Sequence, residues 1–261
     1  MNSPTLSIII ITFNEADNIR ACLDSVAWAD EIVVVDSGSA DETISICREF
    51  TDKIIVNRKW QGFGFQKNMA LDAATGEWVF SIDADERVTP SLREELENAI
   101  KNSSSKVYSV PRQAFFMGRA MRHGGWWPDY VDRLFYKGYA HFSDDLVHEK
   151  IVFEGNAQRL KHPLKHYSYV NLEQVLDKLD RYSTAGAQQA ALQNRKSSIG
   201  KAIFRGFWAF FRAYVVRAGC LDGKEGFIAA VSKAEGSYYR QLKLLYSRIE
   251  SANSDQKTVR E

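Results

Sequence analysis

Cysteine is scarce in this chain of 261 residues: Cys22, Cys47 and Cys220 are the three present. An odd count without metal-ligand spacing argues against a disulfide framework and a cysteine-held zinc, and reads as free thiols in a reducing compartment. Long uncharged apolar runs are missing too. None reaches the ~18 residues that a membrane-crossing helix needs. The apolar segment nearest Met1, Leu6–Thr12, is too short for a signal peptide and has no basic flank, so a cytoplasmic place is expected. Charge of one sign is also lacking: 34 basic against 33 acidic side chains leave +1, and no global field favours nucleic acid, which is not expected as a partner. What remains is the composition of an ordinary globular protein, 45% apolar and 26% charged, long enough for one substantial domain and an appendage.

The first 110 residues alternate strand and helix. Leu6–Thr12 and Glu31–Asp36 are β-branched and nearly all apolar, as strands covered on both faces should be. A shorter strand is expected at 53–56 and a fourth at 77–82. Between them Asn14 can cap a helix carrying Ile19, Leu23 and Val26, Asp41 opens a second, and 65–74 forms a third, stopped at Gly76. After the fourth strand Thr89 caps a helix with Pro90 in its first turn. Alternation of this kind implies an α/β fold, a mostly parallel sheet with helices on both faces, whose ligands lie beyond the carboxyl ends of the strands. Strands are also expected at 107–110 and 133–136, and the chain turns helical from residue 171.

Asp83 and Asp85 end the fourth strand. Residues i and i+2 of an extended strand share a side, and two neighbouring carboxylates repel unless a cation lies between them. Mg²⁺ or Mn²⁺ bridging phosphate oxygens would serve, and an Asp-rich turn in solvent is the plain alternative. Thr12, Asn14 and Glu15 follow the first strand, and Asp36 the second, where it can accept from a base or ribose or cap a turn. Lys67, early in a helix, can meet phosphate or simply be solvated. Trp126, Trp127 and Tyr130 flank Asp129. Their rings suit a sugar face, although ordinary core is the commoner fate of a single Trp. Arg133 can clamp an anion, and His148 and Glu149 adjoin one another.

Thr12-Phe13-Asn14-Glu15, Val35-Asp36-Ser37-Gly38-Ser39-Ala40-Asp41, Gln66-Lys67-Asn68 and Asp83-Ala84-Asp85 stand in an order and spacing that resembles family-2 glycosyltransferases of the GT-A fold. Arg133-Leu134-Phe135 followed by Val147-His148-Glu149 is similar to one bacterial branch. Gly125-Trp126-Trp127-Pro128-Asp129-Tyr130 and Asp222-Gly223-Lys224-Glu225-Gly226 look like lipopolysaccharide inner-core glucosyltransferases, which add β-1,4-glucose from UDP-glucose to a heptose. The resemblance implies that Thr12, Asn14, Glu15 and Asp36 hold the uridine, that Lys67 contacts the donor and Asp83 its ribose, and that Asp85 binds the metal, with Asp83 and His148 as further metal contacts. Trp126, Trp127 and Arg133 would receive the acceptor. It also implies inversion with one carboxylate base. Relatives carry Glu-Asp where this chain has His148-Glu149, so Glu149 is the first candidate and Asp129 the second, with Asp132, Asp144 and Asp145 behind them.

The expected organisation is a catalytic domain over 1–170, its nucleotide-sugar half at about 1–110 and acceptor half at about 111–170, then helices over 171–250 and a disordered tail at 251–261. Leu172, Val175, Leu176 and Leu179 mark the expected buried face of the first C-terminal helix. Over 199–218, Lys201, Arg205 and Arg212 fall within ~40° of a helical wheel, with Trp208 beside them. Ile203, Phe204, Phe207, Phe210, Phe211, Tyr214 and Val215 fill the opposite face. That pattern fits either a helix lying on the cytoplasmic face of the inner membrane or one packed on protein. Rival readings are a nucleotidyltransferase, which would carry a Gly-rich basic loop after the first strand, a nucleotide-sugar-binding module without chemistry, and a transferase with another donor or a polyprenyl-phosphate acceptor.

Overall fold

The computed structural model describes residues 4–143 and 149–258, with side chains described to residue 247. In chain order the elements are β1 (Leu6–Thr12), α1 (Ala16–Val26), β2 (Glu31–Asp36), α2 (Thr43–Cys47), β3 (Ile54–Val56), α3 (Phe63–Ala73), β4 (Trp78–Asp83), β5 (Glu86–Val88), α4 (Pro90–Lys101), β6 (Val107–Phe116) and β7 (Arg119–Ala120). There follow β8 (Asp129–Tyr136), β9 (His141–Phe142), β10 (Ile151–Val152), β11 (Gln158–Arg159), β12 (Leu164–Tyr169), α5 (Leu172–Leu192), α6 (Ile199–Phe211) and α7 (Gly223–Thr258). A π-helical turn, Arg212–Val216, and a 3₁₀ turn, Gly219–Asp222, separate the last two helices.

The main sheet runs β3-β2-β1-β4-β8-β6-β12-β5. Its first four strands are parallel, while β8 joins β4 and β6 joins β8 antiparallel. The chain leaves β1 outward through β2 and β3 and returns on the other side with β4, so the strand order reverses at β1. Open α/β sheets leave their ligand crevice at such a point. Register makes it concrete: Thr12 stands opposite Asp36 and Ile11 opposite Asp83.

Strand alternation divides the core between the faces. Ile8, Ile10, Val34, Phe80 and Ile82 point to one side, against Ile19, Leu23 and Val26 of α1 and Leu92 and Leu96 of α4. Ile9, Val33, Val35 and Val79 point to the other, against Ala70 and Leu71 of α3. Each such side chain contributes about 1.5–3 kcal/mol when fully buried. Thr89 caps α4 as expected, its hydroxyl accepting from the Leu92 amide at 3.2 Å. Asn14 does not cap α1. It takes a positive φ of 53°, and its Oδ1 accepts from the Ala40 amide at 2.9 Å, tying the loop after β1 to the loop after β2.

Two compact units emerge: residues 1–113 with 128–167, and residues 114–127 with 168–261. In the second unit α5 and α6 both pack on α7. Val175, Ser183, Ala187 and Ala190 form the buried side of α5, whereas Leu172 and Leu176 are exposed, against expectation. The apolar stripe read from leucines misses that seam because small residues make it. α7 continues through Thr258. Cys22 and Cys47 are buried free thiols and Cys220 is an exposed one.

Candidate active site

Asp36 ends β2 without exposure to solvent. Its Oδ1 accepts from the Gly38 and Ser39 amides, both at 2.8 Å, and its Oδ2 from the hydroxyls of Thr12 at 2.9 Å and Ser39 at 2.5 Å. A buried carboxylate with four donors is satisfied, and it shapes the turn at 37–39, where Gly38 supplies a φ of 93°. These bonds set Asp36 and Thr12 into one wall at the carboxyl ends of β1 and β2. Ser39, which sequence reasoning passed over, closes the wall by accepting from the Asn14 amide at 2.8 Å.

Beside this wall runs a chain of alternating charges. Glu149 Oε1 takes Lys67 Nζ at 2.8 Å, and the same ammonium lies 3.0 Å from Asp83 Oδ1. Arg133 Nη2 donates to Asp83 Oδ2 at 2.5 Å and to Glu86 Oε1 at 2.7 Å. Arg112 stands 3.7 Å from Glu86 and closes on Asp129 Oδ2 with two nitrogens, at 3.0 and 2.7 Å. Lys67, Arg133 and Glu86 are buried. Burial would raise the Asp83 carboxyl, but Arg133 and Lys67 outweigh it and hold Asp83 well below the usual carboxylate range. Glu86 shifts upward: burial dominates, with the Asp83 charge adding to it against Arg133, His166 and Arg112. Arg133 is held charged, because Asp83 and Glu86 overcome its desolvation.

Three of the residues singled out from sequence are placed by this chain of charges. Arg133 is a buried anchor under Asp83, not a clamp on an acceptor. Lys67 is a buried link, not a solvated cation. Asp83 has a cation on each oxygen, whereas Asp85 stands outside this chain of charges. Asp85 lies in the turn between β4 and β5, where strand alternation no longer governs direction, and its Oδ2 faces His166 Nε2 at 3.1 Å. The expected metal contact His148 lies outside the described residues, as do Asp144 and Asp145. Glu86, Arg112 and His166 were not singled out from sequence. Glu86 directly follows Asp83-Ala84-Asp85 and could have been flagged by adjacency; His166 comes from β12, 81 residues away, and no spacing announces it.

Among the described residues no three His, Cys, Asp or Glu side chains converge on one point. Asp85 and His166 make an oxygen–nitrogen pair, which fits a hard divalent ion only where ligand oxygens and water complete the shell.

Of the aromatic loop, Trp126 and Trp127 belong to the second unit. Trp126 is half-buried against Phe116 at 5.9 Å and Tyr169 at 6.3 Å, with Lys233 Nζ 4.6 Å over its ring. Burial, with Arg217 repelling it further, brings the Lys233 ammonium down to about 8. These side chains line a cavity of about 310 Å³, so Trp126 is wall in that unit, while Trp127 is half-buried. Asp222, from the Asp222-Gly223-Lys224-Glu225-Gly226 run, is buried and accepts from the Arg122 amide at 3.0 Å, the His123 amide at 2.8 Å and His123 Nδ1 at 3.0 Å.

Known proteins are similar to this chain. The family model described as glycosyl transferase family 2 matches residues 7–166. The lipopolysaccharide core biosynthesis glycosyltransferase LpsC of Rhizobium meliloti is 31% identical over 251 residues, covering 92% of this chain and 91% of the relative. An uncharacterized glycosyltransferase of Rickettsia felis is 30% identical, covering 95% and 92%. Among solved structures, TarS 1-349 of S. aureus in complex with UDP aligns over 90% of this chain and 89% of that one, at 16% identity and a TM-score of 0.49. With Asp36, Lys67, Asp83 and Asp85 all inside the matched span, the chain belongs to glycosyl transferase family 2 and is a glycosyltransferase.

Proposed function

We propose that this transferase moves a hexose, glucose from UDP-glucose, onto a heptose of the lipopolysaccharide inner core with inversion at the anomeric carbon. The observation that carries it is the charge chain ending in Glu149, set beside Asp85 and His166 at the carboxyl ends of β1, β2 and β4. The name of the Rhizobium relative supports the acceptor class. The loops bearing Thr12, Asn14, Glu15 and Ser39, held by Asp36, would form the nucleoside wall. Asp85 and His166 would hold Mg²⁺ or Mn²⁺, which when bound neutralises charge on the departing diphosphate.

The acceptor hydroxyl oxygen forms the new bond to the anomeric carbon as the bond to the donor phosphate oxygen breaks, and UDP leaves with that electron pair. The hydroxyl proton goes to a carboxylate. Glu149 is the better placed: one lysine joins it to Asp83, whereas Asp129 stands at the far end of the chain with one oxygen held twice by Arg112. Lys67 orients Glu149 by its Oε1 and leaves Oε2 for the hydroxyl. Glu149→Gln should lower kcat by about 10²–10⁴-fold while UDP still binds. Near-full turnover would move the assignment to Asp129, where Asp129→Asn repeats the test.

The reaction is placed at the cytoplasmic face of the inner membrane, where a soluble nucleotide sugar meets a lipid-anchored acceptor. The decisive experiment is mass analysis of core oligosaccharide from a strain lacking the protein against a complemented one. A core short by one hexose supports the reading. An unchanged core defeats it, and a loss elsewhere in the envelope points to a different acceptor.

A further inference from the structure

We propose that α6 is a docking surface for an anionic lipid bilayer, which the second unit lies upon and does not cross. Among the described residues no helix is long and apolar enough to span a membrane. α6 packs through its smallest residues: Ala202 and Gly206 are its buried positions, and a Cβ on Gly206 would come within 3.3 Å of Tyr238. Its large side chains consequently point away. Ile203, Phe204, Phe207, Trp208 and Phe211 are all exposed, Phe204 and Phe207 at 66% each. Of the aromatic face expected from the wheel, Phe210 and Tyr214 turn inward, onto Phe227 at 5.8 and 5.5 Å.

Five exposed side chains of this size present on the order of 500 Å² of apolar surface, at the upper end of what a monomer leaves in water. They occupy an arc of about 140° at ~100° per residue, and Lys201, Arg212 and Arg205 occupy the next ~40° on its border. All three cations are exposed. From Arg195 to Leu221 the sequence contains six basic residues and no acidic one. Apolar rings flanked on one side by cations match a surface that is oily below and anionic above, with Trp208 at the border where indole rings favour the headgroup level. A second copy of the chain fits less well, since an antiparallel two-fold contact through this face would bring two cationic stripes together.

The proposal needs neither donor nor acceptor and is tested without them. Full-length protein is floated with vesicles of phosphatidylglycerol and phosphatidylethanolamine, or of phosphatidylcholine alone, at low and high salt. Binding to the anionic vesicles is expected, weakened by salt and by about fivefold for each cation removed in Lys201→Gln, Arg205→Gln and Arg212→Gln. The triple variant Phe204→Ser/Phe207→Ser/Phe211→Ser should lose binding while its melting temperature holds, because these rings are already outside the core. Failure to float with anionic vesicles at low salt overturns the proposal. So does a concentration-dependent dimer, seen by sedimentation, that the Phe variant dissolves. Mass analysis of the core bears only on the transferase reading, so the two can fail separately.

Discussion

Arg133 shows how much one side chain carries. It is buried between two carboxylates, and its guanidinium is the cation that lets Asp83 and Glu86 coexist. Removing one partner of a buried ion pair leaves a charge without compensation, which costs about 3–5 kcal/mol. Arg133→Met should lose that much stability in urea unfolding at neutral pH. The deficit should shrink as the pH falls, since Glu86, already shifted upward, takes a proton and no longer needs a cation. On the proposal that Asp85 and His166 hold the metal, Asp85→Asn and His166→Ala should each raise the Mg²⁺ or Mn²⁺ concentration needed for half-maximal turnover. Equal metal dependence in variant and parent would remove that pair from the metal site.

Elements, more than single residues, account for the precision of the helical unit. α7 starts where the 3₁₀ turn ends, and Gly226 passes so close to the Gly219 carbonyl that a Cβ there would meet its oxygen at 2.0 Å and Asp222 Cβ at 2.9 Å. Alanine in place of glycine gains about 1 kcal/mol of helix propensity. Overpacking against backbone costs about 1–3 kcal/mol and takes the larger share. Gly226→Ala should therefore lower the melting temperature, and it should loosen Asp222 from the amides of Arg122 and His123, visible as faster hydrogen exchange there. The Asp222-Gly223-Lys224-Glu225-Gly226 run thus has a structural reason: an anchor for one loop and a gap for one helix crossing.

Across the whole molecule the charges nearly cancel, and local pairs decide how stability follows pH. Glu31 at the start of β2 receives the Thr75 amide at 2.7 Å and hydroxyl at 2.8 Å, together with Ser7 and Lys53. Burial alone would raise its carboxyl, but these donors bring it down from 4.5 to about 2. A depressed folded pKa contributes stability above the unfolded value and loses it as pH falls towards the folded one. Glu31→Gln should then be less stable than the parent at pH 7 by roughly 2 kcal/mol, with the gap closing between pH 4.5 and about 2. A gap that stays constant over that window would deny Glu31 this role.

Local pattern by itself determined the alternation of β1 to α4, the cap at Thr89, and the gathering of Thr12, Asp36, Lys67, Asp83 and Asp85 at one sheet end, because period, β-branching and capping chemistry act over a few residues. The family was legible for the same reason, through short motifs in order. Tertiary structure alone decided the partners. Arg112 and His166 entered the site only because β6 and the later β12 return to the sheet beyond β8, whereas Glu86 follows Asp83 closely in the chain, and a sequence does not state which distant charges a buried carboxylate will need. It likewise decided that Arg133 and Lys67 are inside and that the rings of α6 are outside. An amphipathic wheel shows two faces, and which of them meets protein depends on where small residues let another helix approach.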